Sequence, residues 1–271
     1  DGWELCPPKT WEEYEQIAEF FTRWGEENNI ELYGHTAQAA DHACLAYEMA
    51  ESIWPSWGIW NWGINMDNWR ARSVNGGTLD SVRAKDALKW YIEMLRYAPP
   101  DVRTYTWDEA AESVASGKVA QALLYGENAI WIATDASRSK VTGKIGVALP
   151  PAASDVIDKI YAGKGALGYY DGAAFGIPIS SGNKEAALLF LQFVTRKEWA
   201  PEFAARAGRV VRKSSFESER VKETDQTVNG YYTLLKESGA LFAGAPEFPV
   251  HLALNEIQRK WITQAVAGEI T

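Results

Sequence analysis

Four tryptophans fall within nine residues, Trp54, Trp57, Trp60 and Trp62, in the run WPSWGIWNW. Flat indole faces suit the apolar C–H faces of sugar rings, and polar neighbours suit ring hydroxyls. Two later segments carry the same mixture of ring and hydrogen-bonding group: Tyr125, Glu127 and Asn128, then Tyr169, Tyr170 and Asp171. Arg212 supplies a fork of donors. Each has a plainer alternative. The tryptophan loop is either a ligand wall or a lid over the core, because exposed rings are costly and loops carry function. Glu127 and Asn128 are either hydroxyl partners or a surface turn. Arg212 either binds hydroxyls or closes a salt bridge.

Other chemistries are poorly provided for. The three histidines are His35, His42 and His251, and the two cysteines are Cys6 and Cys44. No CxxC or HExxH spacing occurs, so neither a catalytic nor a structural metal is expected. Cys6 and Cys44 are either a disulfide or two free thiols. No phosphate-binding loop, dinucleotide fingerprint or Gly-x-Ser-x-Gly elbow appears, so no cofactor and no hydrolytic or redox activity is expected. The net charge of −9 comes without a basic cluster, which argues against nucleic acid and anionic membrane partners. No apolar run approaches the roughly 20 residues a membrane-spanning helix needs. The 271 residues suffice for one large or two medium globular domains.

The elements that must hold these residues alternate short apolar runs with capped helices, an α/β pattern. Thr10 and Glu13 predict a capping box, followed by an apolar stripe of Trp11, Tyr14, Ile17, Ala18, Phe21 and Trp24. A short strand is predicted over 31–34, a helix from His42 to Ile53, a loop over 54–62 and a long helix after Ser81. Thr106 and Glu109 predict a second capping box, and Val119 to Tyr125 a strand. Gly168 and Gly172 bracket a chain crossing, Ala173 to Ile177 reads as a strand stopped by Pro178, and Ser180 or Ser181 caps a helix with an apolar stripe through Leu188, Leu189 and Phe193. Further helices are predicted over 198–207, closed by Gly208, and over 251–267.

Several of these stretches also carry a resemblance. Pro7-Pro8-Lys9-Thr10-Trp11-Glu12-Glu13, the basic turn and strand over 137–151, Asp171-Gly172-Ala173, Gly176-Ile177-Pro178, Ser181-Gly182-Asn183-Lys184-Glu185-Ala186-Ala187 and Gly208-Arg209-Val210-Val211-Arg212 occur in one order. That order resembles the family 1 extracellular solute-binding proteins of ABC sugar importers. Asp171 and Ala173 replace the outer members of that family's glycine–glycine–tryptophan, so Tyr169 or Tyr170 would take over the stacking role.

The resemblance implies a type II periplasmic-binding-protein-like α/β fold, two lobes joined by a hinge, with the first part of the N-terminal lobe absent and the C-terminal end short. It assigns 1–170 and 213–271 to the C-terminal lobe and 171–212 to what remains of the N-terminal lobe. It implies a monomeric, periplasmic or extracellular receptor, free or lipid-anchored as a precursor, that binds a sugar in an inter-lobe cleft and delivers it to permease subunits. Its ligand-binding residues would be Trp54, Trp57, Trp60, Trp62, Tyr125, Glu127, Asn128, Tyr169, Tyr170, Asp171 and Arg212. Two readings compete: a carbohydrate-active enzyme, which needs two carboxylates about 5–10 Å apart, and a peptide or polyamine receptor of the same fold.

Overall fold

The computed structural model describes residues 5–170, 172 and 174–270. In chain order the elements are α1 Trp11–Asn28, α2 Ala43–Tyr47, a π-helical turn Glu48–Ile53, α3 Trp54–Ser56, α4 Val82–Met94, α5 Trp107–Ala115, α6 Asn128–Thr134, α7 Ile157–Tyr161, β1 Gly168–Tyr170, α8 Lys184–Val194, α9 Ala200–Ala207, α10 Glu219–Thr227, α11 Tyr231–Ser238, β2 Phe242–Gly244 and α12 His251–Val266. β1 and β2 pair in parallel, with Gly168 opposite Phe242 and Tyr170 opposite Gly244.

The helices begin where side chains can satisfy their first amide groups. Thr10 Oγ1 accepts from the Glu13 amide at 3.2 Å, and a Glu13 carboxylate oxygen accepts from the Thr10 amide at 3.3 Å. Ser81 caps α4, and at the start of α5 the amide and hydroxyl of Thr106 both donate to Glu109. Among the described residues, the strands predicted over 31–34, 119–125, within 137–151 and over 173–177 do not form as ladders. The run 119–125 makes a single bridge, Tyr33 to Val119, and 174–178 has no regular structure. A strand exists only where a partner offers its edge. The helix expected to end at Ile53 instead continues through its π turn into Trp54–Ser56. Ser181 accepts from the Asn183 amide, while Asn183 itself takes the cap position of α8.

The chain forms two compact bodies. The first comprises Asp1–Leu124, Ala148–Tyr170 and Ala240–Thr271. Its core gathers Trp11, Tyr14, Leu45, Met49, Ile53, Trp54, Trp62, Tyr91, Met94, Leu167 and Ile262, each burial of this size contributing roughly 1.5–3 kcal/mol. The second comprises Tyr125–Val147 and Asp171–Gly239, around Ile130, Ala204, Val221, Val228 and Tyr232. The expected division placed 125–147 and 213–239 with the first body. They pack with the second, because α6 supplies Ile130 and Ala133 to the core that α9, α10 and α11 complete. α8 has no buried residue, although Leu188, Leu189, Phe190 and Phe193 are apolar.

Candidate functional site

The tryptophan run divides by burial. Trp54 is 4% and Trp62 0% exposed, both inside the first core. Trp62 sits among Tyr47, Phe248 and His251, with ring centroids 6.2, 5.8 and 4.4 Å away. The expectation that both rings face a ligand is corrected: neither presents a face to solvent. Their spacing concealed this, since α3 carries Trp54 inward and a left-handed backbone turns Trp62 back into the core.

Trp57 and Trp60 are half-buried and pack on the edge of the same core. The Trp57 carbonyl accepts from Arg83 Nη1 at 3.2 Å, and Arg83 pairs with Asp155. Trp60 lies so close to Gly165 that a Cβ there would meet its ring at 2.1 Å, and φ at Gly165 is +101°. Only glycine admits that approach. Next, the Asn61 amide donates to the Tyr169 hydroxyl at 2.7 Å, and burial raises the pKa of that hydroxyl above its ordinary value. Tyr170, the following residue of β1, is 60% exposed. Asp171 lies outside the described residues.

Between these anchors the backbone is unusual. Asn61, Trp62 and Gly63 are consecutively left-handed, with φ of 55°, 54° and 74°. Two non-glycine residues in that region together cost on the order of 1–3 kcal/mol each and persist only where surroundings over-determine them. Here the Tyr169 hydroxyl holds one end and the Thr78 amide, donating to the Gly63 carbonyl at 2.8 Å, holds the other. Asn65 organises the tip: its Oδ1 accepts from the Asp67 and Asn68 amides at 2.9 and 3.2 Å, and its own amide donates to the Arg70 carbonyl. The loop walls a cavity of about 340 Å³, lined by Gly58, Trp60, Asn61, Gly63–Asp67 and Gly76–Thr78. Of these, only Trp60 was expected as a site residue. The crowding of Asn, Asp and Gly after Trp60 was the signal for the rest, and it reads equally well as an ordinary turn.

In the second body, Glu127 forms an ion pair with Arg209 and Asn128 Oδ1 accepts from Trp131 Nε1 at 2.8 Å. Arg138 lies over the Trp131 ring, 4.1 Å from its centroid. Gly208 has φ +70°, and a Cβ there would stand 2.6 Å from Glu127 Cα, so this junction also demands glycine. Tyr125 is half-buried at the same end of α6. Glu127 is therefore engaged by a cation, and Asn128 keeps its amide donors. Arg212 Nη2 donates to the Thr195 carbonyl at 2.8 Å, at the C-terminal end of α8. Tyr125, Glu127 and Asn128 thus come together at one helix start, while Arg212 serves a helix end.

A buried polar junction escaped sequence reasoning altogether. Glu48, in the π turn, accepts from Tyr91 Oη at 2.7 Å and from the Gln38 amide at 2.8 Å. Burial raises its pKa to about 7, against these two hydrogen bonds. Nearby, Tyr14 Oη meets His35 Nδ1 at 2.8 Å, and burial lowers the His35 pKa to about 3. Cys44 is buried with its thiol raised to about 12, chiefly by desolvation, and Cys6 is exposed; both are free thiols. Among the described residues no three His, Cys, Asp or Glu side chains gather to hold a metal ion. No helix of the described residues is long and apolar enough to cross a membrane.

Comparison with known proteins bears on the whole arrangement. The sequence model of the bacterial extracellular solute-binding protein family matches residues 21–201 of the 271. Solved structures of similar fold include the maltose-bound MalE3 of T. maritima, 20% identical with a TM-score of 0.75, covering 100% of this chain and 63% of that one. A solute-binding protein of an ABC transporter from Agrobacterium radiobacter K84, in complex with ribitol, is 21% identical with a TM-score of 0.71, covering 98% and 61%. One from Agrobacterium vitis S4, with bound D-mannitol, is 17% identical with a TM-score of 0.74, covering 100% and 63%. The chain spans less than two thirds of the length of these proteins. At this identity they speak to the fold, which is mixed α/β and rich in helix, of the type II periplasmic binding proteins.

Proposed function

Because this chain belongs to the bacterial extracellular solute-binding protein family, we propose that it is the greater part of a receptor that binds a sugar or polyol outside the cytoplasm and delivers it to the permease of an ABC importer. The family match carries this reading. The family and its structural neighbours are binding proteins rather than enzymes. Neighbours of the same fold hold maltose, ribitol and D-mannitol, all polyhydroxylated and uncharged. The residues we assign to binding are Trp57, Trp60, Tyr169 and Tyr170 on the first body, and Tyr125 and Asn128 on the second. Their rings are half-buried or exposed, which is what stacking on a sugar face requires. Glu127 and Arg212, both engaged elsewhere, serve as supports for this set.

The receptor is proposed to be monomeric, periplasmic or extracellular, with or without a lipid anchor, and without hydrolytic or redox turnover. Isothermal calorimetry with maltose, D-mannitol, ribitol, a tripeptide and putrescine is the test. Saturable binding of a sugar or polyol, recovered chemically unchanged, is the expected result. Tight binding of the peptide or the diamine alone, or release of sugar products, would overturn it.

A further inference from the structure

We propose that α8 and the apolar run 174–179 beside it form a docking face for a β-sheet supplied by further chain of this same polypeptide, outside residues 1–271. The sheet takes 174–177 as one of its strands and lays an apolar face against α8. The inference does not depend on which ligand the receptor binds.

The helix is apolar all round. From Ala186 to Val194 it carries a single polar side chain, Gln192. Ala187, Leu191 and Val194 form a half-buried stripe. Successive residues stand about 100° apart around a helix, so Leu189 and Phe193 lie roughly opposite that stripe, where a surface helix carries polar groups. Both are exposed, with Leu188 and Phe190 exposed beside them. A helix with apolar residues on every side belongs in an interior, with a layer on each side of it.

The run before α8 is open in a complementary way. Phe175 is 72% and Ile179 91% exposed, and among the described residues no backbone hydrogen bond joins 174–177 to another strand. An apolar run without a ladder leaves both its rings and its backbone groups to water. The Phe175 ring stands edge-on to Phe190, centroids 6.4 Å apart, so the open run and the open helix face lie side by side. A second helix could cover α8 but could not pair the run. A sheet does both, because a helix that follows a strand packs back onto the sheet holding that strand.

The length of the similar proteins favours a source in the same polypeptide. MalE3 and the two Agrobacterium proteins match 98–100% of this chain with 61–63% of their own, so more than a third of each has no counterpart within residues 1–271. A second copy of this chain would bring only another unpaired run and another bare helix. Among the described residues its second body holds no strand, since β1 and β2 both belong to the first.

Hydrogen exchange on the polypeptide expressed entire, beside the 271-residue chain, tests the docking face. The expected result is slower exchange of the 175–177 amides in the entire polypeptide, by about ten-fold or more. Leu189→Glu should lower the melting temperature of the entire polypeptide by several degrees and leave that of the 271-residue chain nearly unchanged. The exchange measurement needs no substitution, so it decides the matter even where the variant fails to fold. Equal exchange at 175–177 in both proteins overturns the proposal, as does an entire polypeptide no longer than these 271 residues. Protection that rises with the concentration of the 271-residue chain, with a dimer in sedimentation equilibrium, assigns the face to a second copy and overturns it. Protection of the entire polypeptide only after the permease is added overturns it in favour of a separate protein.

Discussion

Glu48 is the residue whose titration should be felt by the whole first body. Its carboxyl is buried, and its folded pKa of about 7 lies above the ordinary 4.5. The folded state therefore holds the proton more tightly than the unfolded chain. The stability this contributes is full below pH 4.5 and is lost as pH rises through 7. The loss over that window is on the order of 3 kcal/mol. Glu48→Gln, neutral at every pH, should flatten it: urea midpoints at pH 5 and pH 8 should differ less in the variant than in the parent. At Gly165 the expectation is steric. Gly165→Ala puts a methyl group 2.1 Å from the Trp60 ring at a φ of +101°, and should lower stability by roughly 1–3 kcal/mol in thermal denaturation. Neither effect was legible in the sequence. Glu48 reads as one more acid on a helix, and its burial follows from the π turn, which shifts the register of the helical face. Gly165 reads as one more loop glycine, and its necessity comes from a ring more than a hundred positions earlier.

Among the elements, helix starts were the most legible, because a cap is written within four residues. Thr10→Ala removes the acceptor for the Glu13 amide and should cost about 1 kcal/mol, measured by denaturant titration. Strands were the least legible. The apolar run 119–125 finds one bridge at Tyr33, and a neighbouring edge is a property of distant chain that no local pattern encodes. The stripe on α8 was legible as a stripe, and the burial it foretells is absent among the described residues, with Leu189 66% exposed. Substitution there should accordingly be cheap. Leu189→Glu should change the melting temperature little, while Leu45→Ala, in the first core, should cost about 2–5 kcal/mol. Of the aromatic residues expected at the site, which tryptophans turn inward depended on backbone sign at Asn61 and Trp62.

Across the molecule, the two bodies have separate cores and the chain passes between them four times, after Leu124, Val147, Tyr170 and Gly239. Hydrogen exchange should report them independently. Val221→Ala is expected to speed exchange in α9, α10 and α11 while leaving amides of α1 and α4 at parental rates. The order in which a ribosome delivers these segments gives the β1–β2 pairing a further meaning. The second body's segments have all emerged once Gly239 is made, whereas β2 and α12, which belong to the first, come after it. Gly168 must wait for Phe242, so a nascent chain carries the first body open at its sheet edge until β2 has been made. A stall or cleavage after Gly239 would leave β1, in the tryptophan-rich first body, with nothing to pair with.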